Sequence, residues 1–225
     1  MNPDRQDKPQ RRPAGSVGEA SASVPALLEA FRAGDREAGD QLLGRFAPWL
    51  RLMARLQGES RFRAKFDPSD VAQQALLEAV RAFPQFRGAT EPEFIAWLRQ
   101  ILAHALAHEV RRYAGTQKRD LDREVSFEQE LGQSSQRLGD MLAATGTSPS
   151  RQVARREQEV LLAAVLDRLP ADYREVVILR HLEGLSHEAV ARRMGRQPGA
   201  VRMLWVRALA RLREEAARAG LSAGA

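Results

Sequence analysis

Apolar positions recur at helical spacing along most of the chain, and no alternating pattern of useful strand length interrupts them. The clearest stretch runs from Ser186 to Arg213. Ser186 is a good N-cap, and Leu185, Ala189, Val190 and Met194 carry a helical apolar series. Gly195 stands where that helix must stop, because glycine reaches the left-handed conformation without a Cβ clash. Pro198 suits the first turn of a second helix, whose apolar stripe is Val201, Leu204, Trp205, Ala208 and Leu212. Ala191, Gly195, Val201 and Leu204 have the spacing of a helix-turn-helix.

Upstream, residues 1–24 hold Pro3, Pro9, Pro13, Gly15 and Gly18 and almost no large apolar side chain, which predicts a disordered tail. Leu27, Leu28 and Phe31 form a short helix that Gly34 stops. Asp35 caps a longer one with Leu42, Leu43, Phe46, Leu50, Met53 and Leu56 on one face, and Pro48 should kink or divide it. The segment 59–66 is basic and aromatic and reads as an exposed connection. Asp67-Pro68-Ser69-Asp70 is a strong helix start. That helix is expected to turn Val71, Leu76, Leu77, Val80 and Phe83 to a core and to leave Asp70, Gln73, Gln74 and Glu78 polar. A loop at Phe86–Thr90 precedes a second start at Thr90–Glu93. Phe94, Ile95, Trp97, Leu98, Ile101, Leu102, Ala105, Leu106 and Val110 then mark a long amphipathic helix, with Arg99, Gln100, His104, His108 and Arg111 on its polar side.

Residues 115–148 change in character. Acids dominate from Asp120 to Asp140, glycine and serine are frequent, and the segment reads as a mostly irregular acidic linker in which Met141 and Leu142 make a local contact. Ser148-Pro149 opens a second unit with a stripe at Val153, Val160, Leu161, Ala164, Val165 and Leu169. Asp172 with Glu175 reads as a cap pair for the next helix, which Val176, Val177, Leu179 and Leu182 carry to Gly184. The pattern therefore predicts an all-α protein: a tail at 1–24, one small helical domain over 25–114, a flexible linker over 115–148, and a second domain over 149–220.

Charge adds a partner. Among 225 residues with a net charge of +6, seven arginines (192, 193, 196, 202, 207, 211 and 213) fall between Arg192 and Arg213 with no intervening acid. Guanidinium forks match phosphate oxygens and guanine edges, so the helix-turn-helix is expected to bind DNA. Other classes recede. The chain has no cysteine, which excludes disulfides and thiolate metal sites. No apolar run approaches the ~20 residues that span a bilayer, and the first residues lack the apolar core of a signal peptide. No membrane partner and a cytoplasmic location are expected. His104 and His108 have two-histidine ligand spacing but no third ligand, and no phosphate loop occurs. Neither a metal, a cofactor nor an enzymatic activity is expected. His181 and His187 read as surface or cap-adjacent residues.

Two motifs in order, DPSDVAQQALLEAVRAFPQFRG…FIAWLRQIL and LPADYREVVILRHLEGLSHEAVARRMG…GAVRMLWVRALARLR, resemble bacterial RNA polymerase sigma factors of the short extracytoplasmic-function (ECF) type. The resemblance covers roughly residues 25–220, and its wording also resembles the planctomycete-type subgroup. It implies that Asp70, Gln73 and Gln74 dock on core RNA polymerase, with Gln74 replacing a more usual glutamate. It implies that the loop with Phe86 and Arg87 receives an unstacked −10 base. Arg99, Gln100, His104, His108 and Arg111 would then serve −10 recognition and melting, the two histidines standing where many relatives carry Asn and Asp. It places Arg196, Gln197, Ala200, Arg202 and Met203 near −35 base edges, and Arg207 and Arg211 near phosphates. The linker could extend to roughly 100 Å, about three turns of duplex. Core polymerase and promoter DNA are the implied partners, with an anti-sigma factor as a further one, and the free chain is expected to be a monomer. The rival reading from the residues is a helix-turn-helix regulator that binds duplex DNA without polymerase.

Overall fold

Helix starts are set by local chemistry. Ser23, Asp35, Asp67 and Ser186 each accept a hydrogen bond from a first-turn backbone N–H, at 3.4, 3.1, 2.8 and 3.2 Å respectively. In the computed structural model, which describes residues 22–57, 67–114, 127, 129–134, 136–138, 141 and 152–221, these caps open four of the helices. The first half holds α1 (Val24–Arg32), α2 (Arg36–Leu56), α3 (Pro68–Ala82), a 3₁₀ turn at Phe83–Gln85, and α4 (Glu91–Ala114). The second half holds α5 (Gln152–Arg168), α6 (Ala171–Val177) continued by a π turn over Ile178–Leu182, α7 (His187–Met194) and α8 (Pro198–Arg218). No strand occurs among the described residues, so the all-α expectation holds.

Several details depart from the pattern reading. Val24 already belongs to α1 and is buried, so the folded part starts inside the expected tail; residues 1–21 lie outside the described ones, as does the connection at 59–66. Pro48 does not divide α2. Asp172 and Glu175 do not cap α6, whose N-cap is Pro170; each is instead committed to an arginine, Arg196 and Arg55 respectively. On α3 the buried face is Val71, Ala72, Ala75 and Ala79, while Leu77 and Val80 remain 48% and 46% exposed. Small alanines let α2 and α4 approach α3 closely, and this displaces the larger Leu77 and Val80 to the outside.

The linker reading fails in its middle. The described residues between 127 and 141 are helical, with Leu131, Leu138 and Met141 buried. Phe127, Leu131, Ser134, Leu138 and Met141 fall three or four residues apart, a helical stripe hidden among the acids. Ser148 and Pro149 lie outside the described residues.

The two halves also pack together. One continuous core runs from Val24 to Leu221, and α2 lies against α5. Around Trp49, Phe46 and Phe94, all fully buried, the first half has a core of its own. Phe86, Phe94 and Trp97 join it as an aromatic cluster, with ring centroids 4.8–5.5 Å apart.

Candidate nucleic-acid interface

The helix-turn-helix forms where the residue pattern places it. Gly195 is left-handed at φ 62°, and the Arg196 N–H donates to Ala191 O at 2.9 Å, closing the end of α7. Val190, Ala191, Val201, Ala208 and Leu212 are buried between the two helices, with Leu204 and Trp205 half-buried beside them. This backing turns one arc of α8 outward. Arg196, Gln197, Ala200, Arg202, Met203 and Arg207 are all exposed on it or on the turn before it, and Arg211 is partly covered.

The arc is less purely cationic than its sequence. Arg196 pairs with Asp172 at 2.6 Å, Arg202 with Glu188 at 3.3 Å, and Arg211 with Glu214 and Glu215 at 3.0 and 2.8 Å. The acids come from α6, from α7 and from the helix end beyond the arginine run, so a window over 192–213 does not see them. Exposed pairs of this kind are worth about 0–1 kcal/mol and exchange readily for phosphate. Arg211, with two carboxylates, is the arginine most committed to its own helix.

Trp205 anchors α8 from below. The His181 ring stacks on it at 5.7 Å, His187 meets it edge-on at 5.5 Å, and the Arg180 guanidinium lies over it at 5.9 Å. Both histidines are therefore half-buried packing residues rather than surface ones, although His187, directly after the Ser186 N-cap, is cap-adjacent as expected. Desolvation, with Arg180 nearby, lowers the pKa of each below the ordinary histidine value. A lowered folded value means the unfolded chain binds protons first. The stabilisation is complete above the ordinary histidine range and is lost as pH falls through it. Thermal melts at decreasing pH should show the helix-turn-helix weakening below about pH 6.5, the unfolded-state value, and His181→Gln should blunt that dependence.

The other candidate residues lie on α3, α4 and the loop between them. Gln100, His104, His108 and Arg111 share one stripe of α4. That stripe borders the exposed side of α3: His104 Nε2 lies 4.0 Å from Glu78. Asp67, Asp70, Gln74, His108, Glu109 and Arg112 line one groove of about 340 Å³. The candidate polymerase and −10 residues thus form adjoining faces, while Arg99 lies off the stripe and is half-buried.

The loop itself is corrected. Phe86 is only 7% exposed, tucked against Phe94 and Trp97, and so is not a free platform for a base. Arg87 is exposed. Phe86 instead shapes the loop, and a Cβ at Gly88 would come within 2.4 Å of its ring, so glycine is needed there. The Glu93 carboxylate accepts from the Ala89 and Thr90 backbone N–H groups and the Thr90 hydroxyl at 2.9, 3.0 and 2.7 Å. This is a capping box, and those hydrogen bonds lower the Glu93 pKa. Arg32 braces the other side, its guanidinium over the Phe83 and Phe86 rings and donating to Gly88 O.

Comparison with known proteins agrees with this geometry. Residues 159–212 match the family "Sigma-70, region 4", a span that contains α6, α7 and most of α8. The chain is 31% identical over 197 residues to the ECF RNA polymerase sigma factor SigD of Mycobacterium tuberculosis, covering 88% of this chain and 85% of that one. The chain belongs to the ECF RNA polymerase sigma factors. It is also 32% identical over 179 residues to the RNA polymerase sigma-H factor of Pseudomonas aeruginosa, covering 78% and 84% of the two chains. With the ECF RNA polymerase sigma-E factor of Escherichia coli it shares 28% over 181 residues, covering 78% and 85%. These matches establish the family and leave the planctomycete-type subgroup unaddressed.

As a sigma factor the protein serves promoter recognition and transcription initiation, and sigma factors are generally not enzymes. No helix among the described residues of this sigma factor is long and apolar enough to cross a membrane. Residue pattern alone missed three exposed apolar side chains. Leu77 and Val80 lie on the same side of α3 as Gln73, and Val206, 54% exposed, joins Met203 on the outward arc of α8. A large apolar residue that the helix period leaves outside the core was the available signal.

Proposed function

We propose that the sigma factor uses three separate faces. α8 and the turn before it enter the major groove of the −35 element, with Arg196, Gln197, Ala200, Arg202 and Met203 toward base edges and Arg207 toward phosphate. The α4 stripe with Arg87 takes the melted −10 element. The outer face of α3, with Asp70, Gln73 and Gln74, docks on core polymerase. The observation that carries this reading is the outward arc of α8, exposed at Ala200, Arg202, Met203 and Arg207 and backed by the fully buried Val201, Ala208 and Leu212. A helix held this way fits a duplex groove. Control by an anti-sigma factor, action in the cytoplasm as a non-enzymatic subunit, and a monomeric free state belong to the same reading.

Reconstitution tests it: the chain added to core polymerase should yield promoter-specific initiation. Duplex binding without polymerase association would favour the regulator reading. On −35 duplex, Arg202→Ala should change the preference at one base by ~1–3 kcal/mol. Arg207→Ala should weaken all sequences alike and reduce the salt slope by about one. Arg211→Ala should do less than Arg207→Ala, because Glu214 and Glu215 already hold that guanidinium. Titrations at several salt concentrations separate the three outcomes.

A further inference from the structure

We propose that the Arg32 guanidinium is the platform on which an unstacked −10 base lies, a part that the buried Phe86 ring cannot play. The platform rests on the reading above that the α4 stripe with Arg87 takes the melted −10 element, and it adds the residue that holds one base of that strand. Arg32 is the last residue of α1, 56 positions before the loop it meets. The fold brings the two together. α1 packs on α2, and Phe31 stacks on Phe83 with ring centroids 4.0 Å apart, which sets the end of α1 against the 3₁₀ turn. The next side chain, Arg32, then lies over the Phe83 and Phe86 rings at 5.9 and 5.7 Å from their centroids. The negative faces of the two rings attract the cation, and its donation to Gly88 O fixes the direction of the fork.

Exposure and unused capacity turn this packing toward a ligand. Phe83 and Phe86 are buried, whereas Arg32 is exposed, so a strand arriving at the loop meets the guanidinium and not the rings beneath it. Among the described residues no carboxylate pairs with Arg32, in contrast to Arg196, Arg202 and Arg211 of the α8 arc. Gly88 O takes one of its five N–H donors. The loop around it is already rigid. Glu93 holds the Ala89 and Thr90 N–H groups while Arg32 holds the Gly88 carbonyl, and the exposed Arg87 stands one residue from that carbonyl. A phosphate at Arg87 and its base on Arg32 would therefore meet groups ordered before binding.

Planarity is what the chemistry requires. The splayed bases of single strands lie on aromatic rings or on arginine guanidinium planes. A guanidinium is flat and weakly hydrated, whereas a lysine ammonium is a compact, strongly hydrated point charge that offers no face. Two aromatic rings behind the guanidinium keep it from turning away when a base approaches. Stacking needs only a π-face, which every base has, so the platform holds a base without choosing it. Choice is left to the side chains of the α4 stripe, which can reach base edges.

The test uses holoenzyme assembled from core polymerase and the full-length chain. Its affinity is measured for a forked promoter with a single-stranded −10 segment, in which each −10 nucleotide in turn is made abasic. Arg32→Ala should weaken binding of the intact strand about tenfold, within the range of one stacked base. At one position the abasic strand should bind the natural and Arg32→Ala holoenzymes equally, because losing the base and losing the platform delete the same contact. Arg32→Lys should lose nearly as much as Arg32→Ala while keeping the salt dependence of the natural chain. Arg87→Ala should add its full loss to that of Arg32→Ala. Melting temperature, core-polymerase affinity and −35 duplex affinity should change little, since Arg32 is exposed. Equal losses on intact and abasic strands at every position, or rescue by Arg32→Lys, would make Arg32 a phosphate contact and overturn the platform. So would losses from Arg32→Ala and Arg87→Ala that fail to add, which would make Arg32 only a brace for the loop, or an Arg32→Ala holoenzyme that binds the intact strand unchanged. Failure of the natural chain to form holoenzyme, or of that holoenzyme to bind the intact strand, would instead overturn the underlying reading of the α4 stripe.

Discussion

Val201→Asp should abolish −35 duplex binding. Val201 is fully buried beneath α8, and the sequence around it supplies no buried cation to pair with a new carboxylate: the arginines of α7 and α8 project outward. An unpaired buried charge costs several kcal/mol even after its pKa rises, a large share of the 5–15 kcal/mol that stabilises a domain. Val201→Ala, which only removes methyl groups, should cost about 2 kcal/mol and leave a helix-turn-helix that still binds. The raised pKa gives a second readout. Lowering the pH below the carboxyl's folded value neutralises it, so the stability gap between Val201→Asp and the natural chain should narrow toward acid pH. The first half keeps its own core around Phe46, Trp49 and Phe94, so polymerase binding through α3 should survive within a few-fold. Circular dichroism melts, duplex titration and a polymerase pull-down on the same variant decide the matter. Loss of both activities together would show that the shared core makes the two halves one cooperative unit.

What the residues revealed in advance depends on the range of the interactions. The helix-turn-helix was legible because its determinants are local: one left-handed glycine, one first-turn proline and a stripe of period 3.6 lie within 28 residues. The capping box at Thr90 and Glu93 was legible for the same reason. The inward face of α3 was misread because Leu77 and Val80 outweigh Ala72, Ala75 and Ala79 in any count of apolar volume, whereas close helix packing selects the small residues. The linker helix was hidden by averaging acids over a window that also contains Leu131 and Leu138. Phe86 looked available because an aromatic residue beside Arg87 in a loop has the composition of a base platform; the Phe94 and Trp97 rings that bury it come from the next helix. Non-local contacts were the hardest to foresee, such as the Arg51–Asp167 pair, 116 residues apart, and the Arg196–Asp172 pair, 24 apart. Nothing in either local sequence announces its partner, so the contact between the halves and the neutralised part of the arginine arc emerge only from the fold.

The outer face of α3 carries the other large effect. Leu77→Asp should reduce holoenzyme formation by about thirtyfold or more, the scale of an interface residue worth at least 2 kcal/mol. Asp70, Gln73 and Gln74 supply the polar part of this face, and Leu77 and Val80 give it an apolar centre that the fold leaves unburied. Polar residues alone can position a partner, but area withdrawn from water around such a centre supplies most of the attraction. Because Leu77 is 48% exposed, placing an aspartate there should shift the thermal midpoint little, in contrast to Val201→Asp. Asp70→Ala with Gln73→Ala should weaken docking less than Leu77→Asp, since rim contacts exchange with water at small cost. Duplex affinity should be untouched in both variants, because α8 makes no use of α3. A polymerase titration, a melt and a −35 duplex titration on each variant separate the possibilities. Unchanged polymerase affinity for Leu77→Asp would remove α3 from the docking surface. A collapse of the melt would return Leu77 to the core, and parallel losses of polymerase and duplex binding would mean that the two faces do not act independently.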